Sequence, residues 1–184
     1  LESQPGVAAA HANIIQPWYP EFVALERTAP VAAAYTADLS PLGFVHYRHV
    51  PVTQPVVDTL FLHGVSIIVR RDLIDELGYA FDPDMFAYAE DMDLGLRVRS
   101  AGYRTVVATR AVVYHKHTLA SALSYRTFVK TVRIIRNRLL ALWKCSTWPE
   151  FVPLALVTLA GSPLNAGEFG LPPWKRAVYA ILLI

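Results

Sequence analysis

Five carboxylates, Asp82, Asp84, Glu90, Asp91 and Asp93, fall within twelve residues. Acids at this density can supply a general base and its helper, or simply start a helix, because carboxylates favour helix N-termini. Two features of the surroundings favour chemistry. Phe81, Phe86 and Tyr88 are interleaved with the acids, and aromatic rings do not suit an idle solvated turn. Directly downstream, residues 94–149 hold no Asp or Glu but eleven Lys or Arg. A carboxylate between apolar rings and cations is where the proton affinity of a base is tuned. Histidines are the second group. His115 and His117 close an apolar run, and two His at i,i+2 on a strand point the same way, as metal ligands do. A lone His is more often structural, and His46-Tyr47-Arg48-His49 reads as a loop.

These groups need elements to hold them. Residues 1–60 are rich in Pro and Ala and weakly periodic, with seven prolines as punctuation. Pro interrupts helices and central strands, so short elements and long loops are expected, with helical pieces over 13–18 and 20–27. Val65-Ser66-Ile67-Ile68-Val69 is β-branched and predicts a buried strand. Arg71-Asp72 opens a helix through Leu77, stopped by Gly78. Phe81-Asp82-Pro83-Asp84 is a turn. Asp91 caps a helix to Ser100, ended by Gly102, on which Asp93 and Arg97 are an i,i+4 pair. Residues 105–108 and 111–114 predict strands. Residues 119–144 predict a long amphipathic helix, with Val129, Val132, Ile135, Leu139 and Leu142 at helical spacing. Residues 151–160 form a ten-residue apolar run, short of the roughly 20 that span a membrane. A Gly/Pro loop over 161–173 follows, and then Lys175-Arg176 before a second apolar run. A basic pair there fits the cytoplasmic start of a transmembrane helix.

Net charge is only +2 and 54% of residues are apolar. The basic block calls for an anionic neighbour, such as lipid headgroups, a diphosphate or nucleic acid. No recognised module accompanies the charge, which sets nucleic acid aside. The single cysteine, Cys145, excludes an internal disulfide and a Cys-rich metal site. The chain opens without Met or a basic leader and stops inside an apolar run, so both ends are expected to be cut from a longer protein.

One ordered set of motifs stands out. It comprises Gly64-Val65-Ser66-Ile67-Ile68-Val69-Arg70-Arg71, then Gly78-Tyr79-Ala80-Phe81-Asp82, Phe86-Ala87-Tyr88, Glu90-Asp91-Met92-Asp93-Leu94, Arg97, Gly102-Tyr103 and His115. The set resembles the acceptor-side half of a family 2 glycosyltransferase. The resemblance covers residues 64–117 and implies a nucleotide-sugar-binding α/β fold of the GT-A type. It implies that Asp91 is the catalytic base, that Glu90 holds the acceptor, and that His115 ligates a divalent metal, Mn2+ or Mg2+. It places Gly64 and Asp93 at the substrate, although the Arg97 pair gives Asp93 a structural alternative. The implied partners are a nucleotide-sugar donor and a glycan or polyprenyl- or lipid-linked acceptor, at the cytoplasmic face of the cell membrane in cell-envelope polysaccharide synthesis. The family's Asp-x-Asp metal motif is missing from residues 1–60 and is expected upstream. Its Gln-x-x-Arg-Trp signature of processive members is also missing, which argues for addition of a single sugar.

The expected architecture is therefore α/β. Residues 1–118 form the acceptor-side part of a GT-A domain, 119–150 a basic amphipathic helix, and 151–184 an apolar membrane-associated tail. The expected chemistry is inverting sugar transfer, with the segment alone expected to be inactive. Two other readings stand beside it. One is a non-enzymatic membrane-surface or partner-docking module that inherited the fold. The other is a metal-dependent hydrolase built on His115, His117 and the acids, without a compact ligand motif such as His-Glu-x-x-His to support it.

Overall fold

The computed structural model of the chain describes residues 4–15, 33–40, 45–115 and 125–168. Its centre is a strand that the composition hides. β1 (Val7–Ile15) is buried along all nine residues. Strand β6 (Arg104–Tyr114) runs parallel to it, with Ala10 opposite Val106. Two short strands flank this pair antiparallel: β4 (Val56–Asp58) on β6 and β5 (Ile67–Val69) on β1. The order is β4-β6-β1-β5. A strand covered on both faces needs no alternation of polar and apolar residues, and small Ala side chains let the covering layers come close. Where loops and a helical piece over 13–18 were expected, Asn13, Ile14 and Ile15 complete β1. The 20–27 piece lies outside the described residues. The two expected strands over 105–108 and 111–114 are one strand, β6, with a register irregularity where its partner passes from Ala12 to Asn13. The expected buried strand, β5, is shorter and forms an edge, leaving Ile68 exposed.

A second sheet is the antiparallel hairpin of β2 (Ala33–Leu39) and β3 (Val45–Pro51). His46, Tyr47, Arg48 and His49 are therefore strand residues and not a loop. Polar side chains join this hairpin to the main sheet. Asn13 Nδ2 donates to the Ala33 carbonyl at 3.0 Å, and the Ala37 N–H donates to Thr59 Oγ1 at 3.0 Å. These bonds satisfy groups whose unpartnered burial would be costly.

Helix α1 (Arg71–Leu77) ends at Gly78, whose φ of 82° is the left-handed stop the sequence predicts. Helix α2 (Glu90–Ser100) presses Leu94 and Val98 onto Ala8, Ala9, Leu62 and Leu73. Each large side chain so buried contributes about 1.5–3 kcal/mol. Gly95 permits the approach: a Cβ there would collide with the Leu60 carbonyl oxygen. Helices α3 (Tyr125–Cys145) and α4 (Trp148–Glu168) close the other side of α2. Ala141, Leu142, Phe151 and Leu154 join Ala37, Phe61, Met85 and Met92 in one cluster. Of the five apolar positions expected to line α3, Ile135 and Leu142 are buried and the others half-buried, while Thr131 and Asn137 are buried as well. The loop expected from residue 161 is helical as far as Glu168. Among the described residues no helix is long and apolar enough to cross a membrane. Lys175, Arg176 and the final apolar run lie outside them.

Candidate active site

The carboxylates are delivered by an irregular loop. After Gly78, Arg97 donates to the carbonyls of Tyr79 at 2.9 Å and Ala80 at 2.6 Å and stacks over the Tyr79 ring. Asp82 Oδ1 accepts the Asp84 N–H at 2.8 Å, the expected turn. Phe86, Tyr88 and Ala89 then adopt φ of 58°, 73° and 62°. Left-handed backbone costs a non-glycine residue on the order of 1–2 kcal/mol, so tertiary contacts must impose it. Helix α2 follows at once. It starts at Glu90, behind Ala89, with no side-chain cap. The capping expected of Asp91 does not occur, because Asp91 lies inside the first turn.

Asp91 instead binds across the fold. Its Oδ2 accepts the Gly64 N–H at 3.0 Å and its Oδ1 the Met92 N–H at 2.8 Å. Burial pushes its carboxyl above the ordinary aspartate range, and those two N–H groups pull against the shift. Burial also raises Glu90, and the Asp91 charge adds to it. Glu90 Oε2 has no hydrogen-bond partner among the described residues. Both acids converge on Gly64, where a Cβ would lie 3.4 Å from Asp91 Oδ2 and 3.5 Å from Glu90 Oε1. Among the described residues neither acid forms an ion pair.

Asp93 is turned away from this place. Its side chain is fully buried, with Oδ2 2.8 Å from Arg97 Nε and Oδ1 2.6 Å from Lys144 Nζ. Lys144 also reaches Asp82 Oδ2 at 2.7 Å. That hydrogen bond holds Asp82 below the ordinary aspartate range. The spacing of Asp93 and Arg97 anticipated their pair. The substrate contact that the motif gives Asp93 has no opening to act through in this geometry.

Glu90 and Asp91 line a pocket of about 710 Å3. Tyr35, His46 and Tyr47 of the hairpin form one wall, and Lys130 and Arg138 of α3 another. Its floor includes His11 and His63. Their rings are 6.4 Å apart, and His115 stands 6.3 Å beyond His63. Burial keeps His11 neutral, lowering its pKa to about 4. His115 is fixed at the end of β6, its N–H donating to the Ile15 carbonyl at 2.9 Å. His117 lies outside the described residues. Among the described residues no three His, Cys, Asp or Glu are grouped to hold a metal ion. These donors alone do not build the metal site that the resemblance implies for His115.

The family model of glycosyl transferase family group 2 matches residues 4–174. The chain belongs to that family. No curated protein matches it. As a family 2 glycosyltransferase domain, it is a transferase of mixed α/β build. The family implies a nucleotide-sugar donor and a glycan acceptor in general terms, and its enzymes commonly use a divalent metal. The match begins sixty residues before the motifs that carried the resemblance and takes in β1 and the hairpin. His11, His63, Tyr35, Tyr47, Lys130 and Arg138 were not legible as site residues. They are scattered singly, and the pairing of β1 with β6, the β2–β3 hairpin and the packing of α3 bring them together. For Lys130 and Arg138 a signal existed: they belong to the basic block on the predicted helix.

Proposed function

We propose that this glycosyltransferase transfers one sugar, with inversion, from a nucleotide-sugar donor to a hydroxyl of a glycan or lipid-linked acceptor, using Asp91 as base. The observation that carries the reading is a carboxylate held by two backbone N–H groups, with no ion pair among the described residues, at a pocket wide enough for a sugar. A base must lie in hydrogen-bond reach of the proton it takes and have a proton affinity raised toward the working pH. Asp91 accepts the proton of the acceptor hydroxyl. That oxygen forms the new bond to the anomeric carbon as the bond to the diphosphate oxygen breaks, and the bonding electrons leave with the nucleotide diphosphate. Glu90, which lines the same pocket, holds the acceptor beside the base. Lys130 and Arg138 bring positive charge to the same pocket. His115 would be one ligand of a divalent metal whose other ligands come from elsewhere; such an ion supplies charge to the leaving diphosphate.

The acceptor side faces a lipid surface in this reading, at the cytoplasmic face of the membrane and in cell-envelope polysaccharide synthesis. Support comes from α4, where Trp148, Val152 and Leu156 recur at i, i+4 and i+8 and are 67%, 48% and 64% exposed. Trp143, at the end of α3, is exposed as well. Tryptophan favours the boundary between headgroups and acyl chains.

The test is transfer from labelled UDP-, GDP- and dTDP-sugars to a membrane lipid extract, with manganese or magnesium, comparing wild type with Asp91→Asn. Loss of a base costs on the order of 10²–10⁴-fold, and that loss is expected in kcat. Transfer that survives the substitution would move the base elsewhere.

A further inference from the structure

Helix α3 carries a buried side chain that the proposed reaction does not use. Asn137 is 0% exposed, in a helix otherwise packed through Ile135, Ala141 and Leu142. Asn is a mediocre helix former, and a buried amide is unfavourable unless its hydrogen bonds are made. All of its donor capacity goes to the loop before the carboxylates. Nδ2 donates to the carbonyls of Met85 at 2.9 Å, Ala87 at 3.1 Å and Tyr88 at 2.7 Å. Oδ1 accepts from Arg136 Nη1 at 2.9 Å, which fixes which end of the amide faces the loop. The same Arg136 atom donates to the Asp84 carbonyl at 3.1 Å. Arg133 and Lys130 lie over the Phe86 and Tyr88 rings at 5.1 and 5.4 Å.

The loop so held is the one whose backbone is left-handed at Phe86, Tyr88 and Ala89. Strained backbone persists only where its surroundings over-determine it, and here the surroundings are α3. Since α2 starts with no side-chain cap, the direction of its entry depends on how the preceding loop is held. We infer that Asn137 is a positioning residue: by binding three carbonyls of residues 85–88 it sets the left-handed entry into α2, and with it the place of Glu90 and Asp91 in the pocket. Its importance for transfer rests on the reading of Asp91 as base; its control of the Asp91 environment does not. Part of the basic helix thereby acquires a task inside the protein, apart from any lipid or diphosphate.

The experiment is a carboxyl-carbon NMR titration of the whole chain, with Asp91 assigned through Asp91→Asn. In wild type Asp91 is expected to titrate above the ordinary aspartate value. Asn137→Ser is expected to move its midpoint back toward that value by about half a unit or more, because water reaches a carboxylate that burial had raised. Ile135→Val loosens the same helix without removing a hydrogen bond to the loop and is expected to leave the midpoint in place. If Asn137→Ser does not fold, the pair Asn137→Ser/Ala89→Gly replaces it, with Ala89→Gly as its reference. An unmoved Asp91, or one moved equally by Ile135→Val, overturns the inference. In the transfer assay Asn137→Ser is expected to lower kcat about tenfold or more with donor KM within about twofold. Should Asp91→Asn prove fully active, the base assignment fails while the titration still decides the role of Asn137.

Discussion

Asp91 and Asp93 stand two positions apart on α2 and live on different sides of it. On the packed side, Asp93 is the more deeply buried, yet it meets Arg97 and Lys144 within 2.8 Å and 2.6 Å. On the pocket side, Asp91 meets backbone N–H groups and forms no ion pair among the described residues. The difference is the cation. A buried carboxylate between two cations ties helices together; one with none is left with its affinity for a proton raised. Motif spacing gives both residues equal standing, and the packing of α3 against one side of α2 separates them.

The contrast is broken most directly by stability measurements. Asp93→Asn leaves two cations facing a buried amide and is expected to cost about 3–5 kcal/mol in denaturant unfolding. Asp91→Asn is expected to cost less, about 1–2 kcal/mol, since no cation is left unpaired and only one of the two N–H partners loses its acceptor. Equal losses would show that both acids are structural. Lys144→Met is expected to cost less, about 2 kcal/mol, because Arg97 still serves Asp93. It is also expected to return Asp82 to an ordinary titration, seen by carboxyl NMR. The sign at Asp82 follows from its lowered value: its stabilisation is present above the ordinary aspartate pKa and lost as pH falls through the folded one.

His11 extends the comparison to a base without a counter-charge. Its pKa falls from 6.5 to about 4 on folding, so the unfolded chain binds more protons between those values and stability drops as pH falls through them. By pH 5 the expected loss relative to pH 7.5 is about 2 kcal/mol, and His11→Gln is expected to flatten that dependence in denaturant unfolding curves. The smallest effect is expected outside the core. Trp148→Ser with Leu156→Ser changes stability by about 0.5 kcal/mol or less. If α4 meets lipid, the pair weakens co-sedimentation with anionic liposomes; unchanged binding would remove the membrane from the reading.

Local rules made some of this legible. Helix α1 ends at Gly78 because a left-handed stop is written into one residue, and the Asp93–Arg97 pair follows from i,i+4 spacing alone. The motifs from Gly64 to Asp91 located one side of the pocket. The other side was hidden for physical reasons. Val-Ala-Ala-Ala-His-Ala-Asn-Ile-Ile is a strand only because β5 and β6 pair with it; isolated, its alanines favour a helix. Val45 to Pro51 sits among prolines that suggested a loop, and pairing with β2 overrode them. Asn137 did leave a trace, an amide within an amphipathic helix, but its meaning depended on carbonyls some fifty residues away.

The parallel pairing of β1 with β6 also shapes how the chain reaches this state. Ala10 and Val106 are neighbours in the sheet but roughly a hundred residues apart in the chain, and such distant pairings slow folding because loop closure precedes any reward. During synthesis the low-charge segment Val7–Ile15 must wait for β6 to emerge. Until then it presents open hydrogen-bonding edges to any other chain nearby. Refolding of the denatured protein is therefore expected to be slow and to lose yield as its concentration rises, a cost of seating the sheet's centre on two strands far apart in the chain.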